Sequence, residues 1–246
     1  MAYKNKMIFK VTKDFNEMSA KAFEIMKGVV KNSPYAVLGL ATGTTPLGLY
    51  RHMIEDHKAH GTSYQHIRAV NLDEYKGLPK THPQSYAHFM WENLFKHLDI
   101  KKSNTYIENG TAQNEEEECV RYNKLLSKMP RDIQLLGLGS NGHIAFNEPN
   151  TPFGSETHVV NLTENTIKDN ARLFANVSEV PRKAFTMGIK QIMQAKQILI
   201  LASGKNKAEA IYKTVCGAVT EEVPASVLQL HPNCILIVDK EAANKL

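Results

Sequence analysis

The sequence predicts an α/β protein: an open, mostly parallel β-sheet with helices on both faces, Rossmann-like. Three observations predict it. The runs at residues 36–41, 197–202 and 234–238 are apolar without alternation, the pattern of strands covered on both faces. The segments between strand-like runs carry apolar residues three and four apart, the period of amphipathic helices. Four of the runs empty into polar loops bearing glycine or acid, and ligands of open α/β sheets bind outside such carboxyl ends. The 246 residues show no repeat, linker or break in composition. One domain over residues 1–246 is the simplest organisation.

The elements follow in order. Residues 8–11 read as the first strand. Phe15, Met18, Ala22, Ile25, Met26 and Val29 line one face of a helix over 14–30, opened by the capping-box-like pair Asp14 and Glu17. Residues 36–41 form a buried strand, followed by Thr42, Gly43, Thr44, Thr45 and Pro46. Thr45 is placed as N-cap and Pro46 as first residue of the next helix. Such a turn presents free N–H groups and hydroxyls to a phosphate, although an ordinary capped helix would look the same. A strand over 67–72 ends at the acid pair Asp73-Glu74. Helices are expected over 85–98 and 114–129, with a short strand at 105–107 between them. A weakly alternating strand over 158–162 precedes a helix over 163–174 that carries Arg172. Residues 181–195 read as two helical pieces around Gly188. The strand over 197–202 leads through Gly204, Lys205 and Lys207 into a helix over 208–216, and 234–238 is the last strand.

Composition narrows the function classes. No apolar run approaches the roughly 18 residues of a spanning helix, and the charged start lacks the apolar segment of a signal peptide. Cys119, Cys216 and Cys234 are few, odd and far apart, so neither a disulfide framework nor a zinc site is indicated. A reducing cytoplasm is the expected location. The net charge of +5 suits an anionic small substrate. Scattered Lys and Arg residues argue against nucleic acid, and no membrane partner is expected.

The richest stretch is residues 133–149, I-Q-L-L-G-L-G-S-N-G-H-I-A-F-N-E-P. A short apolar strand stops at Gly137, Gly139 and Gly142. Within one loop come Asn141, His143, Asn147 and Glu148. The glycines fit G-x-G-x-x-G, but that dinucleotide fingerprint needs a helix at its third glycine and an acid about 20 residues on. Here Asn147, Pro149 and Pro152 follow at once. A tight turn with a hydrogen-bonded histidine is the bland alternative.

Parallel neighbours would bring four strand ends to one rim. They offer Thr42, Gly43, Thr44 and Thr45 as anion binders, Asp73 as a general-base candidate, Asn141 with the His–Glu pair His143 and Glu148, and Lys205 with Lys207 as cations. His143 and Glu148 are five apart on a loop, and no second histidine has metal-ligand spacing around them. The set suits proton transfer on a phosphorylated metabolite without metal or cofactor.

These stretches resemble the glucosamine-6-phosphate deaminases, within the glucosamine-6-phosphate isomerase and 6-phosphogluconolactonase group. The matching segments are L-G-L-A-T-G-T-T-P (38–46), N-L-D-E-Y-K-G-L (71–78), H-P-Q-S-Y (82–86), L-G-L-G-S-N-G-H-I-A-F-N-E-P (136–149), T-H-V-V-N-L-T (157–163), N-A-R-L-F (170–174), V-P-R-K-A-F-T-M-G (180–188) and S-G-K-N-K-A (203–208). The resemblance implies conversion of glucosamine 6-phosphate and water to fructose 6-phosphate and ammonia. It implies that His143 opens the sugar ring with help from Glu148 and Asn141, and that Asp73 moves a proton between C2 and C1. Residues 43–45, Arg172 and Lys207 match the phosphate-holding positions. A lactonase-like hydrolase on the same fold, or a non-catalytic sugar-phosphate sensor, is the alternative.

Two departures stand out. The family loop is commonly T-G-G-T-P, whereas Thr44 replaces its second glycine here, and a β-branched residue restricts the backbone. Position 141 is Asn where some members carry Asp. Allosterically activated members carry basic residues where this chain has His158 and Val160, and a longer C-terminus than one ending at Leu246. The resemblance therefore implies no activation by N-acetylglucosamine 6-phosphate, and a monomer rather than a homo-oligomer.

Overall fold

The structure is a computed structural model that describes residues 7–164, 167, 174, 176 and 179–246. In chain order its elements are β1 (Ile8–Thr12), α1 (Phe15–Asn32), β2 (Val37–Leu40), α2 (Leu47–His60), β3 (Arg68–Asn71), β4 (Asp73–Tyr75), α3 (Tyr86–Asn93), β5 (Thr105–Tyr106), α4 (Glu115–Lys128), β6 (Ile133–Gly137), β7 (His158–Asn161), β8 (Lys183–Thr186), α5 (Ile189–Ile192), β9 (Ile198–Ala202), α6 (Ala208–Cys216) and β10 (Cys234–Asp239).

Seven strands form one sheet in the order β1-β10-β9-β6-β2-β3-β5, and every pairing in it is parallel. Crossovers between parallel strands are right-handed in nearly all proteins. From β1 to β5 the chain steps towards the β5 edge, which puts α1 and α2 on one face. From β5 it steps back through β6 and β9 to β10, which puts α4 and α6 on the other. The expected helices on both faces follow, and β2, β9 and β10 are buried along their whole length. The direction reverses between the neighbours β2 and β6, and a crevice opens at such a switch point.

Local signals explain most boundaries. The Asp14 side chain accepts the Glu17 N–H at 2.9 Å, and Glu17 reaches back to the Lys13 N–H at 2.7 Å. Ser85 caps α3 by accepting from His88, and Asn114 caps α4 by accepting from Glu116 and Glu117. The acids of the first turn of α4 suit its dipole.

Three expectations need correction. The N-cap of α2 is Pro46, with no side-chain cap. The start lies one residue later than the Thr45 cap predicts, because Thr44 closes a turn onto Leu47 N–H. The helix over 85–98 is shorter: α3 ends at Asn93, and Phe95–His97 continue as a separate tight turn. Residues 183–186 are strand rather than helix. They are paired on both sides, antiparallel with β4 and with β7, and this ladder overrides local propensity. Only the second piece, α5, is helical. The expected helix over 163–174 falls mainly outside the described residues, as does Arg172.

Of the second sheet, β4-β8-β7, the sequence reading gives only the strand over 158–162, observed as β7. This sheet has its own small core of Tyr75, Phe146, Leu162, Ile167, Val180 and Ala184. Phe146 comes from the loop after β6, so this core fastens the small sheet to that loop.

Candidate active site

Because all seven main strands point the same way, their carboxyl ends share one rim. The order β9-β6-β2-β3 makes four of the expected loops consecutive there. Lys205 and Lys207 follow β9. Asn141, His143 and Glu148 follow β6. Residues 42–45 follow β2, and Asp73 follows β3. Neighbouring strands lie about 4.8 Å apart, so the four ends fit around one small metabolite.

The loop after β2 is pinned at its root. The buried Tyr50 hydroxyl donates to Ala41 O at 2.6 Å and accepts the Ala41 N–H at 3.2 Å. The positive φ of the turn, 90°, falls on Gly43, where a side chain would be strained. Thr44 has no such φ, so its β-branched side chain is accommodated. Lys207 ends a short turn ahead of α6. Its burial pushes the ammonium below the usual lysine range, and among the described residues it pairs with no carboxylate. A half-buried cation and a hydroxyl-rich turn at a helix start, on the same rim, are both features suited to an anion.

The loop after β6 is built around its glycines. A methyl group on Gly139 would lie 2.4 Å from the His143 ring, so the imidazole rests directly on that α-carbon. Gly142 has φ 89°, and a side chain there would press on Val223 at 2.8 Å. Asn141 accepts the His143 N–H at 3.1 Å and donates to Glu148 at 2.7 Å. His143 Nδ1 lies 3.6 Å from Glu148 Oε1. Burial would raise the Glu148 carboxyl, but contact with His143 and the Asn141 amide outweighs it and leaves it below its ordinary value. The trio expected from the sequence is therefore assembled, and Glu148 is held as the anion that orients the ring.

Asp73 is 7% exposed. Burial, with a smaller push from the adjacent Glu74, raises its carboxyl to about 8. Glu74 has a different environment. Its oxygens accept the N–H groups of Tyr86 and Ala87 at 2.9 Å each, so it anchors the start of α3. Burial still raises it, to about 7. Of the acid pair, Asp73 is the one left for chemistry.

Sequence reasoning missed the residue that ties these parts together. Thr186 stands opposite Asp73 in the β4–β8 ladder, and its hydroxyl accepts the Phe146 N–H at 3.2 Å. Next to it, Met187 N–H donates to Leu72 O at 2.6 Å, while Met187 O accepts from the Asn147 amide at 2.9 Å. Asp73 and the His143 loop are thus braced by one short strand. The clue was the β-branched and aromatic K-A-F-T run, read as helix. Glu221 was also missed: its carboxylate accepts the Phe153 N–H at 2.9 Å, and its carbonyl accepts that of Asn150 at 2.7 Å.

The family described as glucosamine-6-phosphate isomerases/6-phosphogluconolactonase matches residues 12–236. The chain is 53% identical to a glucosamine-6-phosphate deaminase of Thermoanaerobacter pseudethanolicus, over 95% of this chain and 93% of that one. It is 51% identical to that of Clostridium novyi, over 95% and 98%. A solved monomeric glucosamine-6-phosphate deaminase superposes with a TM-score of 0.95 at 47% identity, covering 98% of this chain and all (100%) of the other. The 6-phosphogluconolactonase of Trypanosoma brucei shares the fold, with a TM-score of 0.79 at 20% identity over 97% and 98% of the two chains. The chain belongs to the glucosamine-6-phosphate isomerase and 6-phosphogluconolactonase family, on the side of its deaminases.

Proposed function

We propose that this rim converts glucosamine 6-phosphate and water to fructose 6-phosphate and ammonia, in agreement with the relatives' activity. The phosphate is held by the loop N–H groups and hydroxyls of residues 42–45 and by Lys207, with Arg172 added by the family pattern. His143, oriented by Glu148 and Asn141, moves a proton from the C1 hydroxyl to the ring oxygen and opens the ring. The Asp73 carboxylate takes the C2 proton, giving an enolamine, and returns it to C1. The resulting C2 imine takes up water, and ammonia leaves. Each well-placed acid or base contributes about 10² to 10⁴ in rate.

One observation carries the reading: a buried carboxyl with a raised proton affinity is braced through Thr186 to the His143 loop, on the rim that also holds the phosphate loop. Lactone hydrolysis needs a base for water rather than one reaching a carbon-bound hydrogen, and no observation favours it here. The likeness to a monomeric relative supports a monomer, and the absence of basic residues at His158 and Val160 supports the lack of an activator site. The test is ammonia release from glucosamine 6-phosphate by the wild type, Asp73→Asn and His143→Gln. Loss of turnover in both variants is expected, and equal activity in all three overturns the roles.

A further inference from the structure

A cavity of about 520 Å³ opens between α3 and the edge strand β5, with Asn71 at the end of β3 in its wall. Its size falls within the roughly 300–1,000 Å³ of small-molecule sites. It shares no residue with the phosphate loop, with Lys207 or with the loop of His143. Lys80, His88 and Lys102 line it, and among the described residues no carboxylate does. The rest of the wall is mainly apolar, with Met90 and Phe95 buried at its base. Trp91 lies in the wall 36% exposed, and the Lys102 ammonium sits 5.1 Å from its ring centroid. Thr81 and Thr105 add hydroxyls. β5 is the last strand of its sheet, so its outer edge offers backbone groups that no strand pairs.

We propose that this cavity is a second ligand site, for an anion that carries a planar ring, such as a nucleoside monophosphate. The ring packs against Trp91 and the apolar wall, beside the Lys102 ammonium that lies over the indole. The anionic group meets lysines with no competing carboxylate in the wall. Inorganic phosphate alone leaves the apolar wall uncovered. An uncharged ring leaves the lysines unmatched. The site does not depend on the assignment of the deaminase reaction.

Trp91 is the sole tryptophan of the chain, so its emission reports on this cavity. AMP, adenosine and inorganic phosphate are titrated into the full chain while that emission is followed, and AMP binding is counted independently by equilibrium dialysis. The expected result is a saturable AMP response, at least tenfold weaker with adenosine and absent with phosphate. Lys102→Glu, a change at an exposed position, weakens AMP at least tenfold. Lys207→Ala, which removes a cation from the phosphate loop, leaves AMP binding unchanged. Absence of AMP binding by dialysis, equal binding to Lys102→Glu, or loss of binding in Lys207→Ala overturns the proposal.

Discussion

Thr186 faces Asp73 across the antiparallel pair of β4 and β8, and the same threonine holds the backbone of Phe146, three residues beyond His143, by its hydroxyl. The two groups proposed to transfer protons are thus positioned by one residue that takes no part in the proposed transfers. Its backbone fixes the first and its side chain fixes the loop of the second.

Thr186→Val keeps the shape and removes the acceptor for the Phe146 N–H. A buried donor left unsatisfied costs about 1–3 kcal/mol. The expected result is a lowered Tm and a kcat reduced by about 10- to 100-fold, the range that follows from a small misplacement of catalytic groups. Thr186→Ser restores the hydroxyl and should recover most of both. A variant with unchanged kcat would show that the loop holds its geometry without this bond.

The raised carboxyl of Asp73 sets a pH dependence. As the proposed base it must be unprotonated, so kcat/KM of the free enzyme is expected to rise with pH through about 8. Glu74→Gln removes the nearby like charge and leaves the burial, so the limb moves to lower pH without reaching the ordinary carboxylate range. The pH profiles of the wild type and Glu74→Gln check both statements. A limb that stays in place in Glu74→Gln would assign the shift to burial alone.

Most of the main sheet was legible because its strands are buried on both faces and read as unbroken apolar runs, as at 197–202 and 234–238. The loops were legible because each bears glycine or charge directly after such a run. The second sheet was legible only in β7. Its strands are three and four residues long, and Lys183–Thr186 is a strand only because β4 and β7 flank it. The acid pair illustrates the same limit. Asp73 and Glu74 are adjacent in sequence, yet only the fold shows that Glu74 is occupied by the first N–H groups of α3. Gly139 read as part of a turn, and its role as the floor under the imidazole needs the coordinates.

Gly139→Ala tests that floor. The added methyl would lie 2.4 Å from the His143 ring, so the ring must move. A shift of about 1 Å at a catalytic group can cost about 10²-fold in rate. The expected outcome is a collapse of kcat with KM little changed, because the phosphate loop is anchored separately by Tyr50. Tm and circular dichroism verify that the variant is folded. Near-normal turnover would mean that the ring has no fixed seat.

Glu221→Gln tests the tether on the far side of the same loop. The carboxylate accepts the Phe153 N–H, and hydrogen bonds to charged groups contribute about 1.5–3 kcal/mol. Gln keeps an acceptor but loses the charge, whereas Glu221→Ala loses both. The expected order of kcat is wild type, then Gln, then Ala, with the Ala variant about tenfold down. Equal rates in all three would release the segment around residue 221 from any part in positioning the loop.

Glu108 gives the sharpest stability prediction. It is fully buried, and among the described residues neither carboxyl oxygen has a hydrogen-bond partner. Burial raises its proton affinity well above the ordinary value, and Asp73, Glu74 and Glu118 add to the effect. Arg121, the nearby cation, is paired with Glu118. A folded-state pKa above the unfolded value means that the stability contribution is full below the unfolded pKa, about 4.3, and is lost as pH rises towards the folded value. Glu108→Leu removes both the unmet polar atoms and the proton requirement. The variant should therefore gain about 1–3 kcal/mol at neutral pH, read as a rise in Tm of several degrees for a chain of this size. The gap between variant and wild type should widen as pH rises above the unfolded value, since only the wild type must hold a proton there. Paired thermal melts across that range decide it: a gap that does not change with pH would mean that Glu108 does not titrate in the way its surroundings dictate.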